Sequence, residues 1–153
     1  MSEQQQPLSI GKIYLKGLSL EIPGAPQVFN ELRAEPRADI NLHNEVKTLE
    51  AGVYEVTLTV TVTATHNEKT VFLVEAAQAG VFQIRDCSPA ELAGVINVTC
   101  PRILLPYVRE AVASVLARAG FPPVLLPHVG FETIYRQRLQ EEQKAQAGGA
   151  PAA

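Results

Sequence analysis

From Val53 to Thr65 the chain reads V-Y-E-V-T-L-T-V-T-V-T-A-T. Tyr54, Val56, Leu58, Val60, Val62 and Ala64 fall on one side of this run, and Val53, Glu55 and a row of threonines on the other. Strict alternation is the period of a strand with unlike faces. Nearly every residue is β-branched or aromatic and suits a pleated surface. At about 3.3 Å per residue the run spans roughly 40 Å, long for a strand, so it needs neighbours of similar length.

The chain offers three. Ile10 to Ile22 reads as a first strand with Ile13 and Leu15 on one face and Tyr14, Lys16, Leu18 and Leu20 on the other, so both faces carry apolar groups. Pro23, Gly24 and Pro26 end it. Ala25 to Arg33 suits a short helix with Pro26 in its first turn, and the segment is too long for a hairpin, so it predicts a crossover. Asp39 to Leu49 opens with Ile40, Leu42 and Asn44 in alternation and reads as a second strand. Ala51-Gly52 supplies a turn into the long strand, and His66 to Lys69 reads as a four-residue polar loop into a returning strand, Thr70 to Ile84.

Helical signals come next. Ser88-Pro89-Ala90-Glu91 is a capping box with proline at the first helical position, predicting a short helix over 89–98. Cys100-Pro101 predicts a second, longer helix to Ala119, with an apolar stripe of Leu104, Tyr107, Val108, Ala111, Val115 and Ala119 and a kink at Pro106. Gly120 is a left-handed stop. A last helix is expected from Phe131 to Gln143. Strands followed by helices give an α+β fold on a mostly antiparallel sheet. The chain reads as a single domain over 10–144, with a flexible leader, 1–9, and a flexible tail, 145–153.

The net charge of -3 leaves no footprint for nucleic acid or an anionic membrane, and no apolar run is long enough to span a bilayer. Cys87 and Cys100 make no disulfide framework and suit reduced thiols in the cytoplasm. Their spacing, with His43, His66 and His128 scattered, matches no metal motif. The motifs of serine hydrolases, P-loop and dinucleotide enzymes and zinc proteases are missing. Glu75, alone in an apolar strand, reads as an outward residue on a solvated face, as a partner-binding carboxylate or, last in order, as a catalytic acid. The residues favour surfaces over catalysis, and no cofactor is expected.

At Cys100 to Tyr107, C-P-R-I-L-L-P-Y followed by Arg109-Glu110, the chain resembles the SecB family of bacterial protein-export chaperones. The similarity recurs in the P-x-A-P-x-V-F run at Pro23 to Phe29, in Val53 to Ala64, in F-L-V-E at Phe72 to Glu75, in G-x-F-x-I at Gly80 to Ile84 and in F-P-P at Phe121 to Pro123. The resemblance implies a four-stranded antiparallel sheet with helices, assembled as a homotetramer that is a dimer of dimers. It also implies an ATP-independent holdase, not an enzyme, which binds unfolded preproteins and delivers them to the motor SecA. Neither nucleic acid nor membrane insertion enters this picture.

Residue by residue, the resemblance assigns Glu21, Leu73 and Glu75 to SecA binding. It assigns Phe29, Ile40, Leu42, Phe131, Ile134, Tyr135 and Leu139 to client binding, although each also reads as ordinary core packing. The chain departs from the family at Gly17, where an aspartate is usual, at Arg138, where a tyrosine is usual, and in a crossover without tryptophan. Fewer aromatics there imply a shallower client site. Two alternatives stay open: a SecB-like chaperone dedicated to one partner such as an antitoxin, and a small α+β ligand-binding protein or enzyme with an enclosed pocket.

Overall fold

The computed structural model describes residues 7–124 and 126–148. Four long strands, β1 (Leu8–Glu21), β2 (Arg37–Glu50), β3 (Val53–His66) and β4 (Lys69–Ile84), form one antiparallel sheet in the order β1-β4-β3-β2. The two earliest strands are therefore the two edges, and the crossover that carries α1 (Val28–Glu31) connects them. As the β3 alternation requires, Val56, Leu58, Val60, Val62 and Ala64 have no exposed surface. Their partners on β4 put Phe72, Val74, Ala76, Gln78 and Gly80 on the same covered face.

The covering layer is helical. Ser88 Oγ accepts the Glu91 amide at 3.2 Å and starts α2 (Pro89–Gly94). The chain then runs without a break through a π-helical segment, Val95–Thr99, into α3 (Cys100–Arg118). Two separate helices were expected, and the structure joins them. A proline ring at 101 would strike the carbonyl one α-turn back, and the wider π turn relieves that clash. α3 stops in a Schellman arrangement: Gly120 has φ 87°, its amide donates to Ala117, and the Phe121 amide donates to Leu116. α4 (Phe131–Gly148) is the last element.

The buried side of α3 is Leu104, Leu105, Val108, Val112 and Leu116. The expected stripe was rotated from this, because α3 is apolar on a second side as well. Tyr107, placed in the stripe by spacing, is 49% exposed.

β1 shows why its apolar residues seemed to face both ways. It bulges between Ile10 and Lys12 and again between Leu15 and Gly17. Each bulge inserts one residue and reverses the parity of the positions beyond it. Ile13, Leu15, Leu18 and Leu20 thereby share the covered face, and Lys12, Tyr14, Gly17, Ser19 and Glu21 the other.

Other boundaries shift slightly. β1 includes Leu8 and Ser9, which the expected leader contained, and α4 takes in residues 145–148 of the expected tail; residues 1–6 and 149–153 lie outside the described residues. The crossover helix is confined to Val28–Glu31, with a turn over Pro26 and extended backbone at Leu32. The loop after β3 is a two-residue turn, since His66 pairs with Lys69 and both Asn67 and Glu68 have positive φ.

Candidate functional site: two faces of one sheet

The face away from the helices is open. Its centre is the threonine row of β3 beside Ala77 and Ala79 of β4, small groups that keep it flat. The second β1 bulge brings Glu21 to this face, directly opposite Leu73. Glu75 lies two residues along β4 from Leu73 and opposite Ser19. The three residues assigned together by resemblance thus form one exposed-to-half-buried cluster, with Gly17 nearby opposite Ala77.

A second cluster occupies the other end of the face. Tyr14 donates its hydroxyl proton to Glu55, and Lys16 Nζ lies 2.7 Å from the same carboxylate. Since β4 separates β1 from β3, both side chains must cross over β4 to reach Glu55, which explains why Ala79 is fully covered. The Lys16 hydrogen bond, then that of Tyr14, holds the Glu55 carboxyl below its usual range. The reciprocal bond from Glu55, aided by burial, raises the Tyr14 hydroxyl from 10.0 to about 12. Sequence reading did not single out this network, because its members lie on separate strands.

The helical side holds apolar clefts at the β2 edge. The larger, about 600 Å³, is lined by Leu32, Pro36, Ala38, Phe72, Phe121 and Val124 among others. The crossover without tryptophan therefore borders the larger of these two clefts. A smaller cleft of about 60 Å³ lies farther along β2, lined by Leu42, Asn44, Leu58, Asn97, Phe131, Ile134, Tyr135 and Arg138. Ala38, Ile40 and Leu42 alternate on the covered face, so Ile40 stands between the β2 residues that line the two clefts.

The expected client residues divide accordingly. Leu42, Phe131, Ile134 and Tyr135 converge on the small cleft, with Ile40 between the clefts on the strand. Leu139 is exposed on α4 and lines neither cleft. Phe29, 44% exposed, stacks on Phe121 with ring centroids 5.2 Å apart and fastens the crossover to the end of α3. Phe121 in turn meets Phe72 at 4.9 Å. Leu32, Pro36 and Phe121 were not named as site residues; the F-P-P run and the proline ending the crossover were the available signals.

Burial pushes the Cys100 thiol up to about 12, so it stays protonated and packs as a small apolar group. Among the described residues no group of three or more His, Cys, Asp or Glu side chains gathers as a metal site. No described helix is long and apolar enough to cross a membrane.

Known proteins share both the sequence and this architecture. A family model described as "Preprotein translocase subunit SecB" matches residues 1–142. The chain belongs to the SecB family. The protein-export protein SecB of Chromobacterium violaceum is 56% identical over 98% of this chain and 100% of its own length. Those of Methylobacillus flagellatus and Azoarcus sp. are 53% and 54% identical, covering 94% and 97% of this chain and 90% and 97% of theirs. Among solved structures, a Mycobacterium tuberculosis SecB-like chaperone in complex with an antitoxin peptide superposes with a TM-score of 0.66. That match covers 81% of this chain and 91% of the other at 20% identity, a likeness of fold. The SecB-family architecture expected from the sequence, a four-stranded antiparallel sheet with helices, is the one observed.

Proposed function

We propose that the chain is a protein-export chaperone that holds unfolded precursor proteins in the cytoplasm, without nucleotide, and delivers them to the SecA motor. The observation that carries this reading is the pair of largely apolar clefts at the β2 edge, one at Leu32 and Phe121 and one at Leu42 and Phe131, with half-buried Ile40 between them on the strand. Clefts of this kind accept apolar segments with little demand on their sequence, and binding only the unfolded state delays folding by mass action. Relatives named as protein-export proteins at more than half identity support it. Glu21, Leu73 and Glu75 form the SecA contact on the opposite face, so client and motor do not compete for area.

The working assembly is a homotetramer, a dimer of dimers. Its support is the apolar surface left over: Ile10, Leu15 and Leu18 on β1 and Tyr107 on α3 are exposed, and Leu15, Pro106, Tyr107 and Ala111 border a concavity of about 430 Å³. Exposed apolar groups this extensive suit burial between copies of the chain.

Refolding of a slow-folding secretory protein tests the function. Arrest of refolding by the chain alone, with no nucleotide and at tetramer mass, is the expected result. Unhindered refolding overturns the general-chaperone reading and favours dedication to a single partner. That second reading has on its side the resemblance in fold to a chaperone seen with an antitoxin peptide.

A further inference from the structure

We infer that Asn44 reads the main chain of a bound client, its side-chain oxygen accepting a backbone N–H from an extended unfolded segment in the cleft beneath α4. The inference rests on the chaperone reading and adds a polar recognition element to it. Asn44 stands on β2 where the alternation Ile40, Leu42, Val46 calls for an apolar residue, and it points to the covered face opposite Leu58. A polar group at such a position needs a physical reason.

Half of the reason is local. In the π segment the Cys100 amide donates to Val95, and Pro101 has no N–H, so the Ile96 carbonyl has no helical donor. Asn44 Nδ2 reaches across from the sheet and donates to it at 3.0 Å. This bond fixes the amide, because the flipped orientation would set two oxygens against each other at that distance. The other half of the side chain is then left over. Among the described residues, Asn44 Oδ1 is covered from solvent and meets no hydrogen-bond donor.

Asn44 lines the small cleft together with Leu42, Leu58, Phe131, Ile134 and Tyr135, a mostly apolar enclosure around one fixed acceptor. The other polar lining residues are Asn97, whose Nδ2 donates to the Ala93 carbonyl at 2.8 Å, and Arg138, whose guanidinium can only donate. α4 packs chiefly on the π segment, pinned by buried Phe131 and by the exposed Arg102–Glu132 pair at 2.8 Å. Tyr135 also packs against the core, so an extended chain reaches Oδ1 only by displacing α4 outward as it binds. An acceptor aimed at main chain suits a binder of many sequences, because every residue except proline offers the same N–H. It also selects register: the segment slides until one N–H meets Asn44 and its neighbours enter the apolar walls.

The test uses a fluorescent apolar peptide and a series of analogues in which one backbone N–H at a time is replaced by an ester oxygen. Binding is measured to the full chain and to Asn44→Leu and Asn44→Ala, the second leaving room for water to serve the Ile96 carbonyl. For the unaltered chain, one ester position weakens Kd on the order of five- to tenfold, and in both variants that position-specific penalty disappears. A flat ester profile with the unaltered chain, or the same peak in a folded variant, overturns the assignment of Asn44 while leaving the chaperone reading intact. If the unmodified peptide and unfolded proteins do not bind the unaltered chain at all, the chaperone reading fails and takes this inference with it.

Discussion

Glu75 and Glu55 stand on the same face of the sheet in opposite circumstances. Glu75 is exposed, whereas Glu55 is held by Lys16 and Tyr14. A free carboxylate is available to a basic partner, and a clasped one is not. Glu75→Lys is therefore expected to weaken SecA binding at least about tenfold, or ~1.4 kcal/mol, without changing client capture. Unchanged SecA affinity would remove Glu75 from the contact. Glu55→Gln tests the clasp. The folded carboxyl is held low, so its contribution to stability is complete above the ordinary carboxylate range of about pH 4 to 5 and is lost as pH falls through the folded value. The raised Tyr14 hydroxyl acts at the alkaline end: its contribution is present below pH 10.0 and is lost as pH rises toward about 12. The difference in Tm between the unaltered chain and Glu55→Gln should be largest near neutrality and shrink as pH falls below the ordinary carboxylate range. A constant difference across that range would show that the carboxylate charge does not stabilise the fold.

At the scale of elements, sheet and helix meet without spare room at Gly80. A Cβ there would lie 2.7 Å from the Phe82 ring and 3.3 Å from Leu104, both fully buried. Neither neighbour has free space to enter, so Gly80→Ala should destabilise the fold by about 1–3 kcal/mol, read as a lower denaturant midpoint. A midpoint equal to that of the unaltered chain would mean the interface yields more easily than close packing implies. β3 was legible in the sequence because unbroken alternation leaves a single way to bury its apolar residues, and β4 because it returns from β3 across a short polar turn. β1 was not, because the bulges at Gly11 and Lys16 reset its parity, and a bulge has no periodic signature of its own. The orientation of α3 was hidden by Tyr107, Ala111 and Val115, which satisfy helical spacing as well as the buried side does. The resemblance grouped Glu21, Leu73 and Glu75, and the second bulge of β1 is what puts Glu21 on the same face as the other two. Asn44 and the Phe29–Phe121 stack depend on contacts between elements distant in sequence, so the chain read in one dimension gave no cue to pair them.

For the molecule as a whole, the sheet divides labour: one surface faces the helices and clefts, and the other lies open. The division can be tested from the client side with Ile40→Asp and Leu42→Asp together. Both residues are half-buried on an edge strand, so charges there should abolish arrest of refolding while the sheet and SecA binding persist. Arrest at the usual ratio would place the client path elsewhere. The division has a consequence for how such a chain varies. Phe72 lines a cleft, Leu73 belongs to the opposite surface, and a single peptide bond joins them. Odd and even positions along β4 thus carry two interleaved messages in one string. A substitution edits one message and spares the other, so grip and docking can drift independently. One inserted residue between Phe72 and Glu75 swaps the parity of every position that shifts and garbles both together.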